Sequence, residues 1–129
     1  MDFLQLFKSD TIQIDGANFN RENVEEIQKF LGVPMETNPF ERNVKALNVA
    51  SHLNIMGLDT TNSTFEIRKG KISDITCFLK RLPKEVIVSL SCEAFPSTYQ
   101  SPMGTMVDYN FGSKKITITG NVIIFIWDT

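Results

Sequence analysis

The chain has 129 residues, 42% of them hydrophobic and 22% charged, with a formal net charge of −2. That length suits one domain with a core of its own, and the composition excludes a disordered or collagen-like chain. A weakly acidic balance gives no general drive towards nucleic acid or an anionic membrane.

The charge is unevenly spread: residues 1–64 sum to −4 and residues 65–129 to +2. The N-terminus, Met1-Asp2-Phe3-Leu4, carries an acid where a signal peptide carries bases, and its apolar run is short. The longest apolar run, Val122 to Trp127, is far shorter than a membrane span. A cytoplasmic protein is the expectation. Cys77 and Cys92 lie in apolar, strand-like runs and read as reduced core thiols, because one pair makes no disulfide framework.

Phe3 to Phe7 fits a strand or a short helix. Thr11 to Ile14 alternates and stops at Gly16, so it reads as a strand and turn. The spacing of Val24, Ile27 and Leu31 predicts a helix over 21–31. Asn20 is its N-cap, Glu22, Glu25 and Glu26 stand near its positive end, and Gly32 and Pro34 close it. Residues 35–43 read as loop, Val44 to Val49 as a strand, Ser51 to Asn54 as a turn or short helix, and Asp59 to Ser63 as loop. Thr64 to Arg68 and Lys71 to Lys80 read as strands about a Lys69-Gly70 turn.

Between Glu85 and Glu93, Val86, Val88, Leu90 and Cys92 face one way and Ile87, Ser89, Ser91 and Glu93 the other, which predicts another strand. Pro96, Pro102 and Gly104 predict a long irregular loop from Phe95 towards Tyr109, with a short strand at its end. Lys114 to Thr119 and Val122 to Trp127 read as a hairpin about Gly120-Asn121. The expected fold is α+β: one main N-terminal helix packed on a mostly antiparallel sheet of about five to seven strands, in a single domain over 1–129.

Catalytic motifs do not emerge. His52 is the only histidine, and neither a zinc spacing nor a calcium loop surrounds it. Cys77 as nucleophile with His52 as base is disfavoured, since a mid-strand cysteine lacks the exposure and positive surroundings that lower its pKa. Walker A and GxGxxG patterns are missing, so no cofactor, metal or catalytic residue is assigned. The basic clusters Arg68-Lys69-Lys71 and Lys80-Arg81-Lys84 flank strand ends and read as solvated turns.

The most distinctive charge feature is acidic: Glu22, Glu25 and Glu26, followed by Glu36 and Glu41. Such a surface steers association with a basic partner. The order of features is similar to that of small uncharacterised bacterial domains encoded beside secreted toxins, several regarded as immunity proteins. The resemblance rests on the Ile-x-Ile strand ending in Gly16, the helix ending in Leu31-Gly32-Val33-Pro34, Met56-Gly57-Leu58, and Ile116-x-Ile118-x-Gly120. It implies a non-enzymatic protein that neutralises one cognate toxin by covering its active site, with those five glutamates as contacts. Two other readings stand beside it. One is a small-molecule-binding domain or enzyme with a pocket between helix and sheet. The other is an accessory subunit whose apolar C-terminal strand pairs across a sheet edge.

Overall fold

A computed structural model describes residues 3–127. Among these residues eleven strands form one antiparallel sheet, with three short helices against it. The strands are β1 Thr11–Ile14, β2 Ala17–Asn20, β3 Met35–Thr37, β4 Lys45–Val49, β5 Leu53–Ile55, β6 Leu58–Arg68, β7 Lys71–Leu79, β8 Pro96–Ser101, β9 Gly104–Phe111, β10 Lys114–Thr119 and β11 Val122–Ile126. The helices are α1 Phe3–Lys8, α2 Val24–Leu31 and α3 Lys84–Glu93. The sheet runs β2-β1-β5-β6-β7-β11-β10-β9-β8, and β4 lies beside β6 with β3 outside it.

The sheet is larger than five to seven strands and no one helix dominates, so the expected fold class is corrected. Segments read as loops pair after all. Asp59 to Ser63 belongs to the eleven-residue β6, whose pairing with β7 skips Thr61 between Thr60 and Asn62. Residues 96–111 form the β8–β9 hairpin. Pro96 opens an edge strand and Pro102 sits in the turn, two places where a missing N–H costs little. Met35–Thr37 adds a short edge strand, and Leu53–Ile55 replaces the turn or helix expected near Ser51 to Asn54.

The segment predicted as a strand over 85–93 is α3. Val86 and Leu90 are buried, whereas Val88 is 61% exposed and Cys92 lies at the surface. Residues four apart share a face both in a strand and in a helix, so Val86 and Leu90 satisfy either periodicity. Cys92 is therefore not a core thiol, whereas Cys77 is fully buried. α2 begins at Val24, later than predicted. Asn20 does not cap it but accepts the Glu22 N–H (2.9 Å) just ahead of it. Gly32 does close it, with φ 67° and its N–H donated to Gln28 O at 2.8 Å.

The β10–β11 hairpin forms as predicted, with Thr119 opposite Val122 across Gly120-Asn121. β11, however, sits between β7 and β10, so its backbone is paired on both sides and offers no free edge. At Met56-Gly57 both residues have positive φ (55° and 85°), as a type I′ turn requires. A buried methionine is unusual in that conformation. Its sulfur accepts the Gln13 N–H at 3.3 Å, which ties the turn to β1.

Cross-strand register assigns each residue of the central sheet to one of two faces. Leu47, Phe65, Ile75, Phe125, Ile116 and Tyr109 stand side by side across β4, β6, β7, β11, β10 and β9, and all are buried. α1 lies over this row: Phe3 meets Phe125 edge to face and Phe7 meets it at a tilt, 6.3 and 5.7 Å between ring centres. Trp127 closes the cluster, 5.1 Å from Phe7, donating its Nε1–H to Phe7 O at 2.9 Å. Burial of these aromatic and aliphatic side chains is the main force holding the sheet.

Candidate functional site

One residue along, the same strands present a different row to the opposite side: Asn48, Thr64, Thr76, Ile124, Thr117, Asp108 and Ser97. Beside it run Glu66, Asp74, Ile126, Lys115 and Asn110. Polar side chains dominate both rows. An open groove of about 920 Å³ lies at the Arg68–Lys71 end of this face, lined by the acids Glu66 and Asp74, the cations Arg68, Lys69, Lys71 and Lys115, and Ile126 and Trp127.

A β-bulge builds the centre of the groove. Ile67 pairs with Ile72 and Glu66 with Asp74, which leaves Ser73 as the extra residue of β7. The bulge sets two carboxyl groups directly opposite each other on neighbouring strands. Ser73 Oγ bonds to Glu66 O (3.3 Å) and to Asp74 Oδ1 (2.8 Å). Burial pushes the Asp74 carboxyl up to about 6; the Ser73 hydroxyl opposes that shift, and the negative charge of Glu66 adds to it. Asp74 therefore changes charge around pH 6, where an ordinary aspartate is already ionised.

The surrounding polar groups are mostly satisfied within the protein. Asp108 accepts from Thr117 Oγ1 at 2.6 Å and faces Lys115 Nζ at 3.5 Å. Arg68 donates to Glu41 at 2.8 and 3.4 Å and to Glu66 at 3.4 Å. That guanidinium holds the Glu41 carboxyl below its usual range.

The five sequence-predicted acids divide between two places. Glu41 reaches the groove through Arg68, and Glu22 through Lys71 at 3.2 Å. Glu36 accepts from Asn48 Nδ2 at 2.6 Å, and Asn48 accepts in turn from Thr64, so it joins the polar row. Glu25 and Glu26 stand exposed on α2, without ion pairs among the described residues. Glu66, Asp74 and Asp108 were not singled out from the sequence. Their alternation with Phe65, Ile75 and Tyr109 was the signal available, since a charge at every second residue of a strand marks an open face.

The disfavoured Cys77–His52 pair finds no geometry here. Burial pushes the Cys77 thiol up, while His52 is exposed beside Asp59 at 3.6 Å. Among the described residues, no group of three or more His, Cys, Asp or Glu could hold a metal, and no helix is long and apolar enough to cross a membrane. Glu66, Asp74, Ile126 and Lys115 reach the groove from the side of the sheet away from α1, and Trp127 borders it from the α1 side. A second, shallower concavity is lined by Arg81, Pro83, Lys84 and Glu85 at the start of α3. Neither lies between a helix and the sheet. Comparison with known proteins finds no matching family model, no matching curated protein and no matching solved structure.

Proposed function

We propose that this protein is a non-enzymatic binding protein that docks a protein partner on the open polar face of its sheet. The observation that carries the reading is the division of the sheet. One face is sealed by aromatic packing, and the other is left as a broad, charged, grooved surface built on paired strands. A surface already ordered by backbone pairing binds with little ordering cost.

The chemistry of the partner follows from the charges. Glu36, Glu41, Glu66, Asp74 and Asp108 outnumber Arg68 and Lys115 on this face, and Glu22 with Lys71 and the exposed Lys69 complete the rim. Six acids against four cations leave the face as a whole acidic, although the groove itself carries four cations to two acids, and the wider surplus favours a basic partner surface. The sequence resemblance to toxin-linked domains supplies the setting: an immunity protein covering the active site of a cognate bacterial toxin from within the cytoplasm. Glu22, Glu36 and Glu41 are the predicted acids best placed to take part, with Glu25 and Glu26 at a distance on α2. No cofactor has a role in this mechanism.

Affinity capture from the native host tests the proposal, with wild type compared against Thr76→Arg, which sets a cation in the middle of the open face. Recovery of one basic protein by wild type, lost with Thr76→Arg and lost in high salt, is the expected result. Equal capture by both removes the polar face as the docking surface.

A further inference from the structure

Among the described residues β8 ends the sheet, with β9 on one side and no strand on the other. Residues Pro96 to Gln100 are all exposed, so both faces of this strand are open to solvent. The composition is unusual for such an edge. From Ala94 to Val107 the chain carries no charged residue, although lysines and other charges are the common protection of an exposed edge against pairing. Large apolar groups stand along it: Phe95 is 96% exposed, Tyr99 42% and Met103 80%.

The backbone pattern fixes what the edge can bond. Ser101 faces Gly104 across the two-residue Pro102-Met103 turn, so the hydrogen-bonded pairs of the hairpin are Ser101, Tyr99 and Ser97 with their β9 partners. The residues between them, Pro96, Thr98 and Gln100, direct their backbone groups outward. Pro96 offers only its carbonyl; Thr98 and Gln100 offer both a donor and an acceptor.

We infer that β8 pairs antiparallel with β8 of a second copy of this chain, about a two-fold axis passing between the two Thr98 residues. In that register Thr98 exchanges both backbone bonds with its own copy, and the Gln100 N–H meets the Pro96 carbonyl of the second copy, once in each direction. Proline therefore faces a position where its missing N–H forfeits a single bond per side. The side chains fit the same register. Tyr99 stands opposite Ser97 of the second copy, and Phe95 opposite Ser101, so each bulky group meets a small one. Tyr99 is also diagonal to both Tyr99 and Phe95 of the second copy, at the ~7–8 Å over which aromatic side chains still touch. An uncharged strand pairs with itself without repulsion, and an isologous contact closes on two copies. Ser97 shares its face with Asp108, so pairing would join the polar faces of two copies into one continuous surface.

The β2 edge lacks this self-fit. Phe19 is turned onto Phe30 of α2, 5.2 Å between ring centres. β3 has three residues, with Glu36 at its centre held by Asn48.

Sedimentation velocity of the full chain over a wide concentration range is the test. The expected mass moves from 14.6 kDa towards twice that value. Thr98→Pro removes the central outward donors without touching the β9 ladder and should weaken association at least about tenfold. Thr98→Lys sets like charges directly opposite each other across the axis and should act in the same direction. Asn18→Lys on the β2 edge should leave association unchanged. Amide exchange should slow at Thr98 and Gln100 as the dimer forms. Circular dichroism and a urea transition matching wild type establish that each variant is folded. A chain that stays monomeric throughout overturns the inference, as does a dimer indifferent to both β8 changes or protected at β2 instead.

Discussion

The two faces of the central sheet are made by the same strands, one residue out of step, and they do opposite things. On the side under α1, Phe65, Ile75, Phe125 and Ile116 are fully buried and interlock with Phe3, Phe7 and Trp127. On the other side, Thr64, Thr76 and Ile124 are partly open, and Glu66, Asp74 and Lys115 line a groove. Folding energy is concentrated in the first face, which leaves the second free to carry groups that would be costly in a core. The Glu66–Asp74 pair is such a group: two acids placed opposite each other by a bulge, with a hydroxyl and a guanidinium beside them.

The sharpest way to break this comparison is to cut the sealed face. Phe125→Ala removes a ring in contact with Phe3, Phe7 and Trp127 and should cost about 3–5 kcal/mol in urea unfolding. A loss below about 1 kcal/mol would mean that the aromatic cluster does not hold the fold.

The next effect lies on the open face and depends on pH. The Asp74 carboxyl is raised from 3.8 to about 6 in the folded protein. The folded state therefore keeps a proton that the unfolded chain has released. Its contribution to stability is fully present below about pH 4 and is lost as pH rises through 6. Asp74→Asn should accordingly be more stable relative to wild type at pH 8 than at pH 4, by about 1–3 kcal/mol. Urea midpoints at the two pH values measure the difference. A gap of the opposite sign would show that Asp74 is stabilised as a carboxylate.

Thr117 stands between the two faces in character. It is 2% exposed, yet its hydroxyl bonds to Asp108 at 2.6 Å. Thr117→Val should cost about 1 kcal/mol, because Asp108 keeps Lys115 but loses its shortest bond. The smallest effect is expected at Thr76, in the middle of the open row. Thr76→Ala should change stability by less than about 0.5 kcal/mol. A large loss there would mean the face is structural, leaving less of it free for a partner.

Legibility of this molecule in its sequence follows the same division. Where one local signal acts alone, it reads correctly: Gly32 ends α2, Lys69-Gly70 turns β6 into β7, and Gly120-Asn121 joins β10 to β11. Where two signals coincide, it does not. Val86 and Leu90 fit a strand as well as a helix, and the β-branched residues between them favour the wrong choice. Pro96 and Pro102 mark an edge strand and its turn as readily as a loop, and only the pairing partner decides. Asp59 to Ser63 reads as loop because a strand with an open face carries polar residues there. The groove was hidden for a longer-range reason. Glu66 and Asp74 meet only because Ser73 is an extra residue in the ladder, and nothing local in Lys71 to Lys80 announces a bulge. Of the acids that were legible, Glu22, Glu36 and Glu41 reach the polar face through cations and an amide from other strands, contacts that a linear reading does not contain.

The direct test of the central claim is the affinity of the captured partner for two variants that change charge in different places. Thr76→Arg alters the middle of the open face, whereas the pair Glu25→Lys and Glu26→Lys alters the exposed side of α2. Isothermal titration should show at least about a tenfold loss for Thr76→Arg, or more than about 1.4 kcal/mol, and less than a twofold change for the helix pair. The reverse pattern, with the helix changes abolishing binding and Thr76→Arg leaving it intact, would contradict the assignment of the polar sheet face as the working surface of this protein.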